Sequence, residues 1–203
     1  MNPALADLLR SRAGIWRGLH CDHAAWAVVG SGFAELDASL PGGGWPLGTL
    51  AEIASPAPGC GELRLLLPAI AGLSRAGRRI AWIAPPYRPY APALLQAGVA
   101  LGQLLAVNAD KDHDIAWCAE KLLRSGGCGM VLLWPRRLDA RQIRRLQLAA
   151  ETGSALAVLF TLPAQSYSGA ALRVAVRPSA SGLAVDIVKA RGSLRRASLM
   201  LSL

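Results

Sequence analysis

Lysine is scarce in this chain: of 22 Lys and Arg in 203 residues, only Lys111, Lys121 and Lys189 are lysines. A GC-rich genome produces the same bias, so the choice of cation says little about ligands. Acid is short as well. Thirteen Asp and Glu against those cations leave a formal net charge of +9. That surplus favours acidic partners: nucleic acid, an anionic surface or an acidic protein face. Charged residues make up 17% and hydrophobic ones 53%, which excludes a disordered or fibrous chain. Long apolar runs are missing. Residues 65–73 are bracketed by Arg64 and Arg75, far short of the ~20 residues that span a membrane. The opening MNPALADLLRSRAG carries Asp7 and no apolar stretch with a small-residue cleavage site, so no secretory signal is expected. Cys21, Cys60, Cys118 and Cys128 form no CxxC pair, the pattern of reduced thiols in a cytoplasmic protein. His20, Cys21, Asp22 and His23 are neighbours, but adjacent residues rarely close a tetrahedral site. No metal and no cofactor are expected.

What is present alternates. Residues 3–18 show helical spacing of Leu5, Leu8, Leu9, Ile15 and Trp16. A second short helix is expected over 33–40, ended by Pro41-Gly42-Gly43-Gly44. From there strands are expected at 49–54, 79–84, 104–107, 130–134 and 155–161. Helices are expected at 62–76, 92–97, 112–124 and 139–151. Pro68 kinks the first of these helices or starts it anew, Gly98 caps the second, and Asp139 is the N-cap of the last. The segments 170–177 and 182–190 alternate apolar and polar residues as hairpin strands do. Apolar strands alternating with helices imply an α/β fold: a mostly parallel sheet, helices on both faces, and an antiparallel C-terminal edge.

Strand, glycine turn, helix is also the layout of a phosphate site, in which backbone N–H groups at a helix start face the anion. A working phosphate loop reads GxxxxGK[ST]. Here the turn runs from Ser55 through Pro56, Pro58, Gly59 and Gly61 to Glu62 and Leu63. Pro56 takes the place of the first glycine, Glu62 that of the lysine and Leu63 that of the hydroxyl residue. The prolines remove N–H donors. Like charges about 4 Å apart repel by about 4 kcal/mol at an effective dielectric near 20, so Glu62 opposes a triphosphate. Leu63 offers magnesium no ligand. Nucleotide hydrolysis is not expected.

The stretch VVGSGFAELDASLPGGGWPLGTLAEI (28–53) resembles the approach to the RecA phosphate loop, with its Leu36-Asp37 pair, glycine cluster, Pro46-x-Gly48 and Glu52-Ile53. Residues 80–107, including Gly98-Val99, resemble the next RecA strand–helix–strand, and AVDIVKARG (184–192) a late RecA strand. Within that superfamily the chain resembles the SulA-like ImuA family. It shares the opening helix followed by Ile-Trp-Arg-Gly (15–18), the Gly-x-Gly-Glu-Leu-Arg-Leu-Leu-Leu (59–67) in place of the phosphate loop, and a curtailed C-terminus. The resemblance implies a RecA-like core over 25–195, an N-terminal helical arm over 1–24 and a tail over 196–203. It also implies a non-enzymatic adaptor in SOS-induced translesion synthesis. Its partners would be ImuB, an inactive Y-family polymerase relative, RecA, and a DnaE-type error-prone polymerase. Carried over residue by residue, the RecA nucleotide-site features fall on Pro86, Trp134, Ala93 and Leu162, none of which can serve them. RecA's two DNA-binding loops look absent.

Lys189 and Arg191 match the RecA lysines that reach a neighbouring subunit, and so are candidates for docking on RecA. The helix over 139–151 carries Arg141, Arg144 and Arg145, an electrostatic surface for DNA or an acidic partner. Trp16 and Trp45, in or near turns, are further contact candidates, as is Arg17, whereas Trp82 and Trp134 belong to the core. The tail, with Arg195 and Arg196 before an apolar end, either completes the core or inserts into a partner's groove. Rival readings are a DNA-binding module driven by the charge and a SulA-like inhibitor of cell division.

Overall fold

The structure is a computed structural model that describes residues 27–163, 167, 169–191 and 196–202. The arm over 1–24, with Trp16 and Arg17, lies outside the described residues, as does Arg195. Among the described residues, ten strands and five α-helices follow in chain order: β1 (Val28–Val29), α1 (Ala34–Ser39), β2 (Trp45–Pro46), β3 (Thr49–Ala54), α2 (Leu67–Arg75), β4 (Arg79–Ile83), α3 (Ala91–Gln96), β5 (Leu104–Val107), α4 (Asp112–Arg124), β6 (Cys128–Leu133), α5 (Ala140–Gly153), β7 (Leu156–Thr161), β8 (Leu172–Ser179), β9 (Gly182–Ala190) and β10 (Ala197–Leu201).

Eight strands form one sheet in the order β10-β9-β8-β3-β7-β6-β4-β5, and β1 with β2 make a small antiparallel pair. From β5 to β8 all neighbours are parallel; β9 and β10 are antiparallel. The expected mixed α/β architecture is therefore present. The central strands β3, β6 and β7 are buried along their whole length. This explains why they read as apolar runs rather than alternating ones.

Successive side chains feed two cores. Ile53, Trp82, Leu132 and Val158 face one layer, closed by Leu36 of α1, Leu66, Ile70 and Leu73 around α2, and Leu94 of α3. Leu50, Ile83, Val131 and Leu159 face the other, closed by Ile115, Ala119 and Leu123 of α4 and Ile143, Leu146 and Ala150 of α5. Helix α5 starts on a reciprocal cap: the Gln142 N–H donates to Asp139 Oδ1 at 2.7 Å, and the Asp139 N–H donates to Gln142 Oε1 at 2.8 Å. Its last residue, Gly153, touches the end of α4 so closely that a Cβ would lie 1.8 Å from Leu123 O. Only glycine lets these helices meet there.

Two expectations need correction. Helix α2 begins at Leu67, not at residue 62. Pro68 sits in its first turn, where its missing N–H costs nothing, and residues 62–66 form separate turns instead. Trp45 is no contact residue: it is fully buried in the first core, paired across β1–β2 with Val29. Of the two readings of the tail, its described residues follow the one in which it completes the core. Strand β10 pairs with β9 from Ala197↔Ile187 to Leu201↔Leu183, and Leu201 is buried. The sheet thus continues across the expected core–tail boundary.

Candidate functional site

The glycine loop between β3 and α2 is closed by its own side chain. Gly59 and Gly61 take φ of +90° and +100°, a conformation that side chains resist. The turn brings Glu62 back over the loop, where its Oε1 accepts the Gly59 N–H at 2.7 Å. Glu62 is buried, and its second oxygen has no hydrogen-bond partner. Pro56, Ala57 and Pro58 are exposed. A donor that would face a phosphate in a working loop is here satisfied by a carboxylate of the chain.

The other positions expected to lack nucleotide chemistry are Trp134, Pro86, Ala93 and Leu162. Trp134, just beyond β6, stacks on Phe160 with ring centroids 4.5 Å apart and planes 9° apart. Trp82 lies 5.8 Å from Trp134 at a tilt of 48°. An aromatic block therefore covers the C-terminal ends of β4, β6 and β7. Pro86, Ala93 and Leu162 are exposed loop or helix positions. Among the described residues, no group of three or more His, Cys, Asp or Glu is arranged to hold a metal.

Glu52, in the middle of β3, is wholly buried. Arg173 Nε donates to its Oε2 at 2.9 Å, Thr161 Oγ1 to its Oε1 at 3.1 Å, and the Tyr167 N–H to Oε2 at 3.3 Å. Arg173 also donates to Tyr167 O at 2.8 Å. Sequence reasoning passed over this pair. A lone acid in a strand otherwise buried end to end was the signal, because a buried charge requires a partner.

The candidate contact residues are not brought together. Lys189 stands opposite Arg173 across β8–β9 and donates from Nζ to Ala170 O at 2.8 Å. Burial, then Arg173, holds its ammonium below the usual lysine range, with Glu52 opposing and Arg191 adding to the effect. Arg191 approaches Glu151 at 3.8 Å. Arg196 is exposed just before β10. On α5, Arg145 is tied to Glu120 of α4, while Arg141 and Arg144 are exposed. Trp117 of α4, not singled out from the sequence, is 54% exposed.

Residues 48–157, more than half of the chain, match the family described as cell division inhibitor SulA. The chain belongs to the SulA family. It is 29% identical over 149 residues to protein ImuA of Caulobacter vibrioides, covering 71% of this chain and 60% of that protein. It is 29% identical over 93 residues to SulA of Photorhabdus laumondii, covering 46% of this chain and 52% of that protein. With RecA of Clavibacter michiganensis it shares 32% identity over 135 residues, 66% of this chain and 37% of that protein. This SulA-family chain is thus ImuA/SulA-like, and it spans 60% of the length of the ImuA relatives it matches. None of the helices among its described residues is long and apolar enough to cross a membrane.

Proposed function

We propose that this chain is a non-enzymatic accessory protein of SOS-induced, error-prone translesion DNA synthesis. It acts as an adaptor that binds ImuB, the inactive Y-family polymerase relative, and RecA, alongside a DnaE-type polymerase. Its sheet is a RecA-like core whose nucleotide site has degenerated. The observation that carries this reading is the Glu62 carboxylate seated on the Gly59 N–H, in the loop where RecA-type cores hold phosphate. The ImuA and RecA relatives support the same reading.

The test is co-purification with ImuB, using the full chain and a chain lacking residues 192–203. Retention of ImuB by the full chain is expected. Failure to retain it would sink the adaptor reading. Absence of any rise in melting temperature with ATP and magnesium is the matching expectation for the loop. A second reading, inhibition of cell division, is favoured by the SulA-family match over residues 48–157. Filamentation of cells on overexpression, with no retention of ImuB, would decide for it.

A further inference from the structure

Helices α4 and α5 lie side by side on one face of the sheet, and a solvent-open groove of about 90 Å³ runs between them. Its lining includes Ala116 and Leu146, with His113, Trp117 and Gln142. A cavity of about 150 Å³ takes a benzene ring, so this one suits a short aliphatic side chain. Trp117 leaves half its surface in water, and the Lys121 ammonium stands 5.8 Å from its ring centroid. Nothing in the packing of α4 requires an aromatic there. Exposed tryptophans beside a groove are the residues on which binding energy concentrates.

The surrounding charge is mixed, with positive charge in excess: Asp114 lies 3.2 Å from the groove-lining His113, against Lys121, Arg141 and Arg144. Glu120 also lines the groove, but it is held by Arg124 at 3.3 Å and by Arg145, so it does not offset the other cations. Arg141 and Arg144 have no ion-pair partner among the described residues. They precede Leu148 by seven and four residues, on the same outer face of α5, and Leu148 is 48% exposed. A phosphate backbone makes use of the arginines but not of an exposed leucine and a narrow apolar slot. An acidic peptide with aliphatic residues uses all of them.

We propose that the α4–α5 face docks an acidic protein segment, its aliphatic anchor against Trp117 in the groove and its carboxylates on Arg141 and Arg144. This deepens the adaptor reading and rests on it for its biological partner; the test does not. A short fluorescein-labelled peptide of Glu and Asp with two leucines one helical turn apart is titrated by anisotropy. Saturable binding is expected. It weakens at least about fivefold with Trp117→Ala, with Arg141→Glu plus Arg144→Glu, and with serine in place of the peptide leucines. Matched charge reversal on the opposite face, Arg64→Glu plus Arg75→Glu, leaves it unchanged. Thermal melts verify that each variant is folded, as expected for exposed positions, and Trp117→Phe retains most of the binding. Equal weakening by both charge reversals would reduce the effect to bulk charge and overturn the proposal. So would unaltered binding by folded Trp117→Ala, or a single-stranded oligonucleotide that binds more tightly with the same dependence on these variants. A parent chain that retains ImuB but shows no saturable peptide binding sinks the groove alone; a parent chain that binds the peptide but not ImuB sinks the adaptor reading alone.

Discussion

Replacing Arg173 by Met isolates the one charge that is completely buried among the described residues. Glu52 is 0% exposed and the Arg173 side chain 18%. The substitution removes the 2.9 Å charge-assisted bond to Oε2 and the 2.8 Å bond to Tyr167 O. Glu52 is left with two neutral donors, Thr161 Oγ1 and the Tyr167 N–H. Removing one partner of a buried ion pair costs about 3–5 kcal/mol. Because Arg173 is partly reached by water, the lower end applies, about 3 kcal/mol. For a chain of this length that lowers the melting temperature by about 6–12 °C. Removing both charges, with Glu52→Leu and Arg173→Met together, returns stability to within about 1 kcal/mol of the parent, since an apolar pair replaces an ion pair at little cost. Urea titration followed by circular dichroism, run as a double-mutant cycle, reads both numbers. A single variant as stable as the parent, or a double variant no better than the single, would refute the reasoning.

Gly153→Ala drives a methyl group into Leu123 O and is expected to cost about 3 kcal/mol in the same titration, the upper end for overpacking because the clash is with backbone, whereas an exposed helix glycine would gain from alanine. Glu62→Lys with Leu63→Thr introduces two residues of a working phosphate loop, yet no ATP-dependent rise in melting temperature is expected. Pro56 and Pro58 still withhold donors and Trp134 still stands beyond β6. A saturable rise would show that the two changes suffice. The lowered Lys189 ammonium sets a sign for pH dependence. Between its folded pKa and the ordinary 10.5 the unfolded chain binds more protons, so the contribution of Lys189 to stability increases with pH across that window. Lys189→Met is expected to flatten the slope of unfolding free energy against pH there; an unchanged slope would show that Lys189 is not its source.

The elements legible in the sequence were those specified by neighbours. Asp139 and Gln142, three residues apart, announce the start of α5, and the apolar runs TLAEIA and LAVLFT announce fully buried strands. The start of α2 was misplaced because the leucines from Leu63 onward fit a helix as well as turns, and Pro68 decided between them. Trp117 was within reach, since His113 and Lys121 flank it at four residues on the polar side of α4, away from Ile115 and Ala119. Trp45 was not. Glycines on both sides of the β1–β2 region suggest exposure, and only the pairing with Val29 carries the ring into the core.

By itself the sequence determined the alternation of strands and helices, the antiparallel end of the sheet, and the presence of Glu62 and Leu63 where a working phosphate loop has a lysine and a hydroxyl residue. These depend on residue types a few positions apart, whose steric and hydrogen-bonding preferences act locally. The tertiary structure alone decided that Glu52 meets Arg173, 121 residues away, that β10 closes the sheet edge, and that α4 and α5 frame a groove beside Trp117. Those contacts follow from strand register and helix packing across the whole chain. A local pattern limits such arrangements without choosing among them.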